Sequence, residues 1–311
     1  MKGLHIYFLP YLLLGIIWGT NFLFMKWAAA LINPSQIVFL RVLAGVFPVI
    51  VYALIKRQIK WSHFKNSHHF FVMSLLATTI YFFCFAKGTS ILSSGIAGAL
   101  SGSIPIFSTI VTFFLLKEEK INGRKVVGIL IEVLGVIIIA KPWVNGDGSL
   151  HVNGVVSMII GSMSVGISFV YAKKFLSDVK IPTAALTSYQ MIFALLTIST
   201  WTDFTSIDAI RESTPALIGV IVGLGFIGTG LAYILYYTIV NHLGAVVAST
   251  VTYIPPIVAL FIGAFIAGEK ITASDWGGMF VILAGVYLLK NREKKGEKKQ
   301  EMEKVKHESY M

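Results

Sequence analysis

Apolar residues fill most of the chain in long runs, broken at intervals by short polar stretches that carry most of the Lys, Arg, Asn and Asp. A helix needs about 20 predominantly apolar residues to cross a bilayer. Ten segments meet or approach that length: residues 8–30, 36–55, 70–87, 94–116, 124–140, 154–174, 183–201, 216–240, 243–267 and 273–290. The pattern predicts an all-α polytopic membrane protein with ten transmembrane helices. The first run follows one early Lys and continues too long for a cleaved signal peptide, so it reads as the first span.

The second half repeats the first. Residues 104–121, IPIFSTIVTFFLLKEEKI, realign at a shift of 150 on residues 254–271, IPPIVALFIGAFIAGEKI. The same shift pairs Pro105 with Pro255, Glu119 with Glu269, Lys120 with Lys270, Gly128 with Gly278 and Gly135 with Gly285. Matched Pro, Glu and Lys at fixed offsets are hard to obtain by chance in apolar sequence. The shift spans five hydrophobic segments, and an odd number of crossings turns the second copy upside down. The expectation is two inverted five-helix repeats, 8–140 and 154–290, around a pseudo-two-fold axis in the membrane plane, an arrangement that marks transporters. Neither half is expected to fold alone, because its polar inner face would then meet lipid.

Composition sharpens this picture. With 56% hydrophobic and only 13% charged residues, the chain exceeds ordinary globular proportions. The net charge of +11 is unevenly placed, since eight of the 26 Lys and Arg fall between Lys290 and Lys306. The basic balance therefore describes a tail and loops and predicts no nucleic-acid partner. The second, fourth and sixth loops carry Lys56, Arg57, Lys60, Lys65, Lys117, Lys120, Arg124, Lys125, Lys173, Lys174 and Lys180, whereas the opposite side holds Lys87, Lys141, Arg211 and Lys270. By the positive-inside rule both termini are cytoplasmic. The tail, residues 291–311, buries too little apolar surface to order itself and is either disordered or laid on anionic lipid head groups. Cys84 is the single cysteine, so no disulfide framework or cysteine metal site is expected. His63, His68 and His69 lack metal-ligand spacing. No phosphate loop, nucleophile elbow or clustered carboxylate pair is present, so the chain is read as neither an enzyme nor a cofactor binder. Its expected partners are a small-molecule metabolite and membrane lipids, with the protein a monomer or homodimer.

The candidate chemistry lies inside the spans. WGTNFLFMK places Trp18, Asn21, Phe22 and Met25 on one helical stripe and Lys26 on another side. Intramembrane Asn and Lys usually face a bundle interior or a water-filled cavity. Arg41 interrupts the second span. Lys26 and Arg41 lie equally far from the turn at Asn33-Pro34, so a tight hairpin sets both roughly 10 Å below the extracytoplasmic surface at about 1.5 Å per residue. Two cations with no acid in either helix point to an electropositive vestibule for a carboxylate or other anion. The alternative is that Lys26 snorkels to the interface and Arg41 caps freed carbonyls.

Pro105 in the fourth span and Pro255 with Pro256 in the ninth remove backbone donors at corresponding positions. Matched kinks in inverted halves point to a midplane binding site. Ser101, Ser103, Ser108, Thr250, Thr252 and Tyr253 surround the kinks; their hydroxyls either meet substrate or satisfy the broken helix. Tyr81, Tyr189, Gln190 and Tyr233 are further cavity candidates, alongside Thr78, Thr79 and Thr229, because aromatic walls with a few polar groups suit a small amphiphilic metabolite. Gly95, Gly98 and Gly102 read as a packing face. Glu132 is the acid deep inside a span, and it is either a proton carrier or a helix contact. Its repeat partner is Ile282.

WGTNFLFMK, the FLR element at Arg41, and the paired IP...EKI segments followed by the Gly128/Gly135 and Gly278/Gly285 helices resemble the EamA-type branch of the drug/metabolite transporter superfamily. The resemblance covers about residues 8–290. It implies two EamA repeats, N-in and C-in, and export of amino acids or related metabolites through a bacterial-type inner membrane by alternating access. The central cavity is then formed by the first four helices of each half, with the fifth and tenth outside. The family pattern carries to Trp18, Gly19, Asn21, Lys26, Arg41, Pro105, Glu119, Pro255 and Glu269. Glu119 and Glu269 fall at helix corners and read as hairpin and gate stabilisers. The second copy departs at GISFVYAKK, which has neither Trp nor Asn, so contacts from the first helix of each half are expected to be asymmetric. The competing function is a flippase or efflux component for lipid-linked or drug-like substrates. Uniport and proton antiport are both compatible with the sequence.

Overall fold

The computed structural model describes residues 4–115, 123–141, 148–177, 179–236, 238–239 and 250–289. Every regular element among them is helical. We number the helices α1 (Leu4–Ala29), α2 (Pro34–Ile55), α3 (Trp61–Ile91), α4 (Ser94–Leu115), α5 (Gly123–Ala140), α6 (His151–Leu176), α7 (Thr183–Trp201), α8 (Thr214–Tyr236), α9 (Thr250–Phe265) and α10 (Ala273–Leu289). Six of them, α1, α2, α3, α4, α6 and α8, are long and apolar enough to cross a membrane, so the chain is a multi-pass membrane protein.

Local sequence explains where these helices begin. Asn33 caps α2: its Oδ1 accepts the Gln36 N–H at 3.0 Å, and Gln36 Oε1 accepts the Asn33 N–H at 3.1 Å. Pro34 follows at the first helical position, where the missing N–H would have had no partner. Gln36 then donates through Nε2 to the Asp203 and Thr205 carbonyls, at 2.7 and 2.8 Å, tying the start of α2 to the α7–α8 connection. Helix α3 is longer than the expected 70–87. It opens with 3₁₀ turns at Trp61–Asn66 and contains a π turn at Leu75–Thr79, geometry that a 3.6-residue periodicity does not register. The middle of α8, Gly219–Leu231, is also π-helical, and the shift of 150 maps the α3 turn into it. The prolines sit at a second matched irregularity. A 3₁₀ turn at Ser101–Ser103 precedes Pro105, and one at Thr250–Tyr253 precedes Pro255 and Pro256.

The helices pack in a pattern that repeats when five is added to each number. α1 packs on α9 as α4 packs on α6; α2 packs on α8 as α3 packs on α7; α3 packs on α6 as α1 packs on α8. The remaining large contacts, α2–α7, α4–α9 and α5–α10, join equivalent helices. Glycines fix the directions. Gly15 meets Ile254 and Gly19 meets Val258, so α1 and α9 run parallel. Gly88 meets Met158 and Gly161 meets Phe85, so α3 and α6 run antiparallel. At the most extensive contact, Gly128 faces the Gly285 carbonyl and Gly135 faces the Gly278 carbonyl, which makes α5 and α10 antiparallel.

That pair is also closed at one end by charge. Lys141, just beyond α5, lies 2.7 Å from Asp275 in the first turn of α10. Asp275 also accepts from the Thr272 N–H at 2.8 Å and hydroxyl at 2.7 Å. Its negative charge suits a helix N-terminus. Asp275→Ala is expected to lower stability by about 2 kcal/mol, since it removes an ion pair and a cap together; thermal unfolding in detergent measures this, with Ser274→Ala at the neighbouring exposed position as the control.

Candidate functional site

Arg41 lies near the middle of α2 and is 4% exposed. Its Nε donates to Thr229 Oγ1 on α8 at 3.0 Å, and its guanidinium carbon sits 3.6 Å from the centroid of the Phe82 ring on α3. Close approach of α2 and α8 requires glycine. A Cβ on Gly45 would come 2.8 Å from Thr229, and one on Gly225 would overlap Ala44. Thr229 in turn donates to the Leu224 carbonyl at 2.8 Å, five residues back, a group that the π geometry leaves in reach. Tyr81 and Tyr233, both half-buried, lie within electrostatic reach of Arg41. Tyr81 packs edge-on against Phe85 at 4.6 Å, and Phe22 of α1 approaches Phe85 at 5.8 Å.

Asn21 joins the same neighbourhood. Its Oδ1 lies against Gly228, the residue before Thr229, where an added Cβ would overlap it. That oxygen is buried with no hydrogen-bond partner among the described residues. On the other half, Gln190 of α7 donates through Nε2 to Thr78 Oγ1 at 2.8 Å, in the π turn of α3. Arg41 to Thr229 and Gln190 to Thr78 are therefore near-equivalent bonds: each runs from the second helix of one half to the π segment of the other. Of the sequence candidates, Tyr81 and Tyr233 thus stand near Arg41 and Asn21 beside the residue preceding its partner Thr229, while Gln190 makes the counterpart bond to α3.

The other candidates lie elsewhere. Trp18 faces Tyr236 at 6.0 Å, beside the small cluster of Leu14, Ile17 and Val251. Ser103 is fully buried and donates to the Leu100 carbonyl at 2.8 Å, while Ser108 donates to Pro105 at 3.0 Å. Both serine hydroxyls satisfy the interrupted helix. Tyr253 ends the turn before Pro255, within electrostatic reach of Glu132 and Tyr11. Tyr189 does not turn to Arg41. Its hydroxyl accepts from the Lys60 N–H and donates to the Lys60 carbonyl, both at 3.1 Å, and meets His63 Nδ1 at 3.2 Å, with its ring stacked on Phe70. It pins the α2–α3 connection. Glu132 is fully buried at the α5–α10 crossing, against Gly285, and both carboxyl oxygens lack a hydrogen-bond partner among the described residues.

Lys26 and Arg41 do not form one vestibule. The Lys26 ammonium donates to the Leu92 carbonyl at 2.7 Å and to the Ser90 carbonyl at 3.3 Å, at the C-terminal end of α3. Across the corner, Glu269 accepts the Ser94 N–H at 2.7 Å and the Gly95 N–H at 3.0 Å, at the start of α4. A cation thus closes a helix C-terminus and a carboxylate closes the next N-terminus, each complementing the local dipole. The hairpin expected at α1–α2 had placed Lys26 by depth alone; the free carbonyls of α3 supply what depth did not. Glu119, the repeat partner of Glu269, lies outside the described residues. Phe82 escaped the sequence reading, for which YFFCF gave an aromatic run but no partner.

A family model for EamA-like transporters matches residues 6–141 and again 152–290. The chain belongs to the EamA-like transporter family. This EamA protein is 28% identical over 276 residues to an uncharacterized transporter of Archaeoglobus fulgidus, with 88% of this chain and 94% of the relative covered. It is 25% identical to the uncharacterized transporter YoaV of Bacillus subtilis, over 88% of this chain and 92% of that one. A Synechocystis transporter, sll0355, is 24% identical, over 89% and 87%. A solved crystal structure superposes with a TM-score of 0.57 at 15% identity, covering 91% of this chain and 97% of the other; that likeness carries the fold alone. As an EamA protein the chain is a membrane transporter.

Proposed function

We propose that this EamA protein is a secondary carrier in a bacterial-type inner membrane that exports small carboxylate-bearing metabolites, amino acids and related compounds, by alternating access. The observation that carries the reading is Arg41: a buried guanidinium without an acidic partner among the described residues, set in aromatic walls where helices of both halves meet. A buried cation is stable only when paired, and a substrate carboxylate supplies the pair.

The packing pattern, unchanged when each helix is replaced by its partner five places on, supports two inverted five-helix repeats and ten spans, and the basic second, fourth and sixth loops support N- and C-termini inside. In this reading the halves rock about the 3₁₀ turns before Pro105 and Pro255, where the backbone already lacks regular α-helical bonds. The α3–α4 corner held by Lys26 and Glu269 then acts as a gate element. Gln190 and Thr78 make the counterpart of the Arg41–Thr229 bond.

Untargeted profiling of metabolites inside and outside cells, with and without the protein, tests substrate and direction together. Accumulation outside expressing cells is expected, and no difference across the profile would sink the reading. Arg41→Ala should reduce the flux at least tenfold, on the order of one lost charge-assisted pair, with the amount of protein in the membrane unchanged. Equal flux would return Arg41 to a packing role.

A further inference from the structure

We infer that the substrate is a monocarboxylate without a free ammonium group, its carboxylate taken by Arg41 and its apolar body held among Tyr81, Phe82, Phe85 and Tyr233. The inference rests on the transporter reading above, keeps its carboxylate and sets aside its amino acids. Three observations lead to it.

First, the guanidinium is incompletely engaged. Its Nε bonds Thr229 and its face lies on Phe82, but neither terminal amino group makes a hydrogen bond among the described residues. A ring quadrupole and one neutral hydroxyl offset only part of the desolvation of a buried cation. The planar fork that remains matches both oxygens of a carboxylate.

Second, no acidic side chain among the described residues stands beside Arg41 to balance an ammonium group. Six acidic residues are described, and each is placed elsewhere. Asp203 accepts from the Thr205 N–H in the α7–α8 connection, and Asp208 and Glu212 belong to the turn Ile207–Glu212. Glu269 holds the start of α4, Asp275 pairs with Lys141, and Glu132 is packed against α10. An α-ammonium carried into this site would find the neutral Asn21 Oδ1 as an acceptor, but it would face the like charge of Arg41 with no carboxylate side chain among the described residues to balance it.

Third, the site carries one charge and not two. Lys26, the other intramembrane cation on α1 and α2, is held by the Ser90 and Leu92 carbonyls. A phosphate ester, with close to two negative charges near neutrality, would remain half balanced. The surrounding rings, with Tyr81 at 4.9 Å from Phe82 and 4.6 Å from Phe85, favour an apolar and planar body.

A matched series separates the charge classes: 3-phenylpropionate, phenylalanine and phenethylamine share a ring and differ in charge. Thermal stabilisation of the purified full-length protein in detergent reads saturable binding of each. 3-Phenylpropionate is expected to act at concentrations about tenfold or more below phenylalanine, and phenethylamine not at all. Arg41→Gln should abolish the response to 3-phenylpropionate. Arg41→Lys, which keeps the charge and loses the fork, should weaken it about tenfold with the order of the series retained. This second variant decides the matter if Arg41→Gln does not fold. Absence of saturable binding of 3-phenylpropionate, unchanged affinity in either variant, or equal binding of phenylalanine would overturn the inference. Phenylalanine binding that Arg41→Gln removes would overturn it while leaving the transporter reading intact. A metabolite profile that expression does not alter sinks the transporter reading whatever the binding series shows.

Discussion

Gly278→Leu is expected to prevent recovery of a monodisperse protein from the membrane, whereas Gly277→Leu, one residue earlier, leaves recovery unchanged. A Cβ on Gly278 would lie 2.6 Å from Ile139 Cγ1 and 3.0 Å from the Gly135 carbonyl oxygen, while one on Gly277 meets nothing within 4 Å. Its partner is equally tight: a Cβ on Gly135 would lie 2.8 Å from both the Gly278 carbonyl oxygen and the Ile282 amide nitrogen. Those are backbone atoms, which cannot step aside as a flexible side-chain end can. Small residues let transmembrane helices approach closely, and in lipid, packing of this kind is a main source of helix association. Forcing α5 and α10 apart should cost about 3 kcal/mol, at the upper end of overpacking effects. Against this, Gly277→Leu gains slightly in helix propensity, by under about 1 kcal/mol. Size-exclusion chromatography of the solubilised variants reads the difference. Equal behaviour of the two would mean that the glycine pairs do not hold α5 to α10.

The same pairs show what was legible in the sequence. The shift of 150 aligned Gly128 with Gly278 and Gly135 with Gly285, yet each glycine faces the partner of the other. Crossed contact of this kind follows from α5 and α10 running antiparallel, which a linear alignment does not express. Helix starts with a local chemical cause were also legible. The Asn33-Pro34-Ser35-Gln36 stretch writes the cap of α2 in adjacent letters, and the segment 183–201 coincides with α7. The π turns in α3 and α8 were not, because they change the number of residues per turn without changing composition. Arg41 announced itself by being a cation in an apolar run. Its partners did not, since Phe82 and Thr229 stand 41 and 188 residues away. Lys26 was placed by depth and Tyr189 by residue type, and both are engaged by backbone groups of connections whose paths neither specifies.

Glu269→Ala should lower stability by about 3 kcal/mol, because it strips two amide donors of α4 of a charged acceptor and leaves them facing an apolar corner. Ser94 is 1% exposed, and Gly95 is buried against Leu260. Water therefore has little access to the freed N–H groups. Glu269→Gln keeps one carbonyl acceptor and loses the charge, so its effect should be about half as large. Lys26→Met removes the matching cation from the Ser90 and Leu92 carbonyls and should cost about 1 kcal/mol, discounted because the ammonium is only half-buried. The two side chains grip opposite sides of a two-residue corner, Leu92 and Ser93, and they lie within electrostatic reach of each other. Once either grip is lost, the corner can relax and the other has less to hold. The double variant Lys26→Met with Glu269→Ala is accordingly expected to lose less than the sum of the singles, by about 1 kcal/mol of coupling. Thermal unfolding of the four proteins closes the cycle. Strict additivity would mean that the α3 terminus and the α4 terminus are held independently, and a gate built on this corner would then need some other element to move the two helices together.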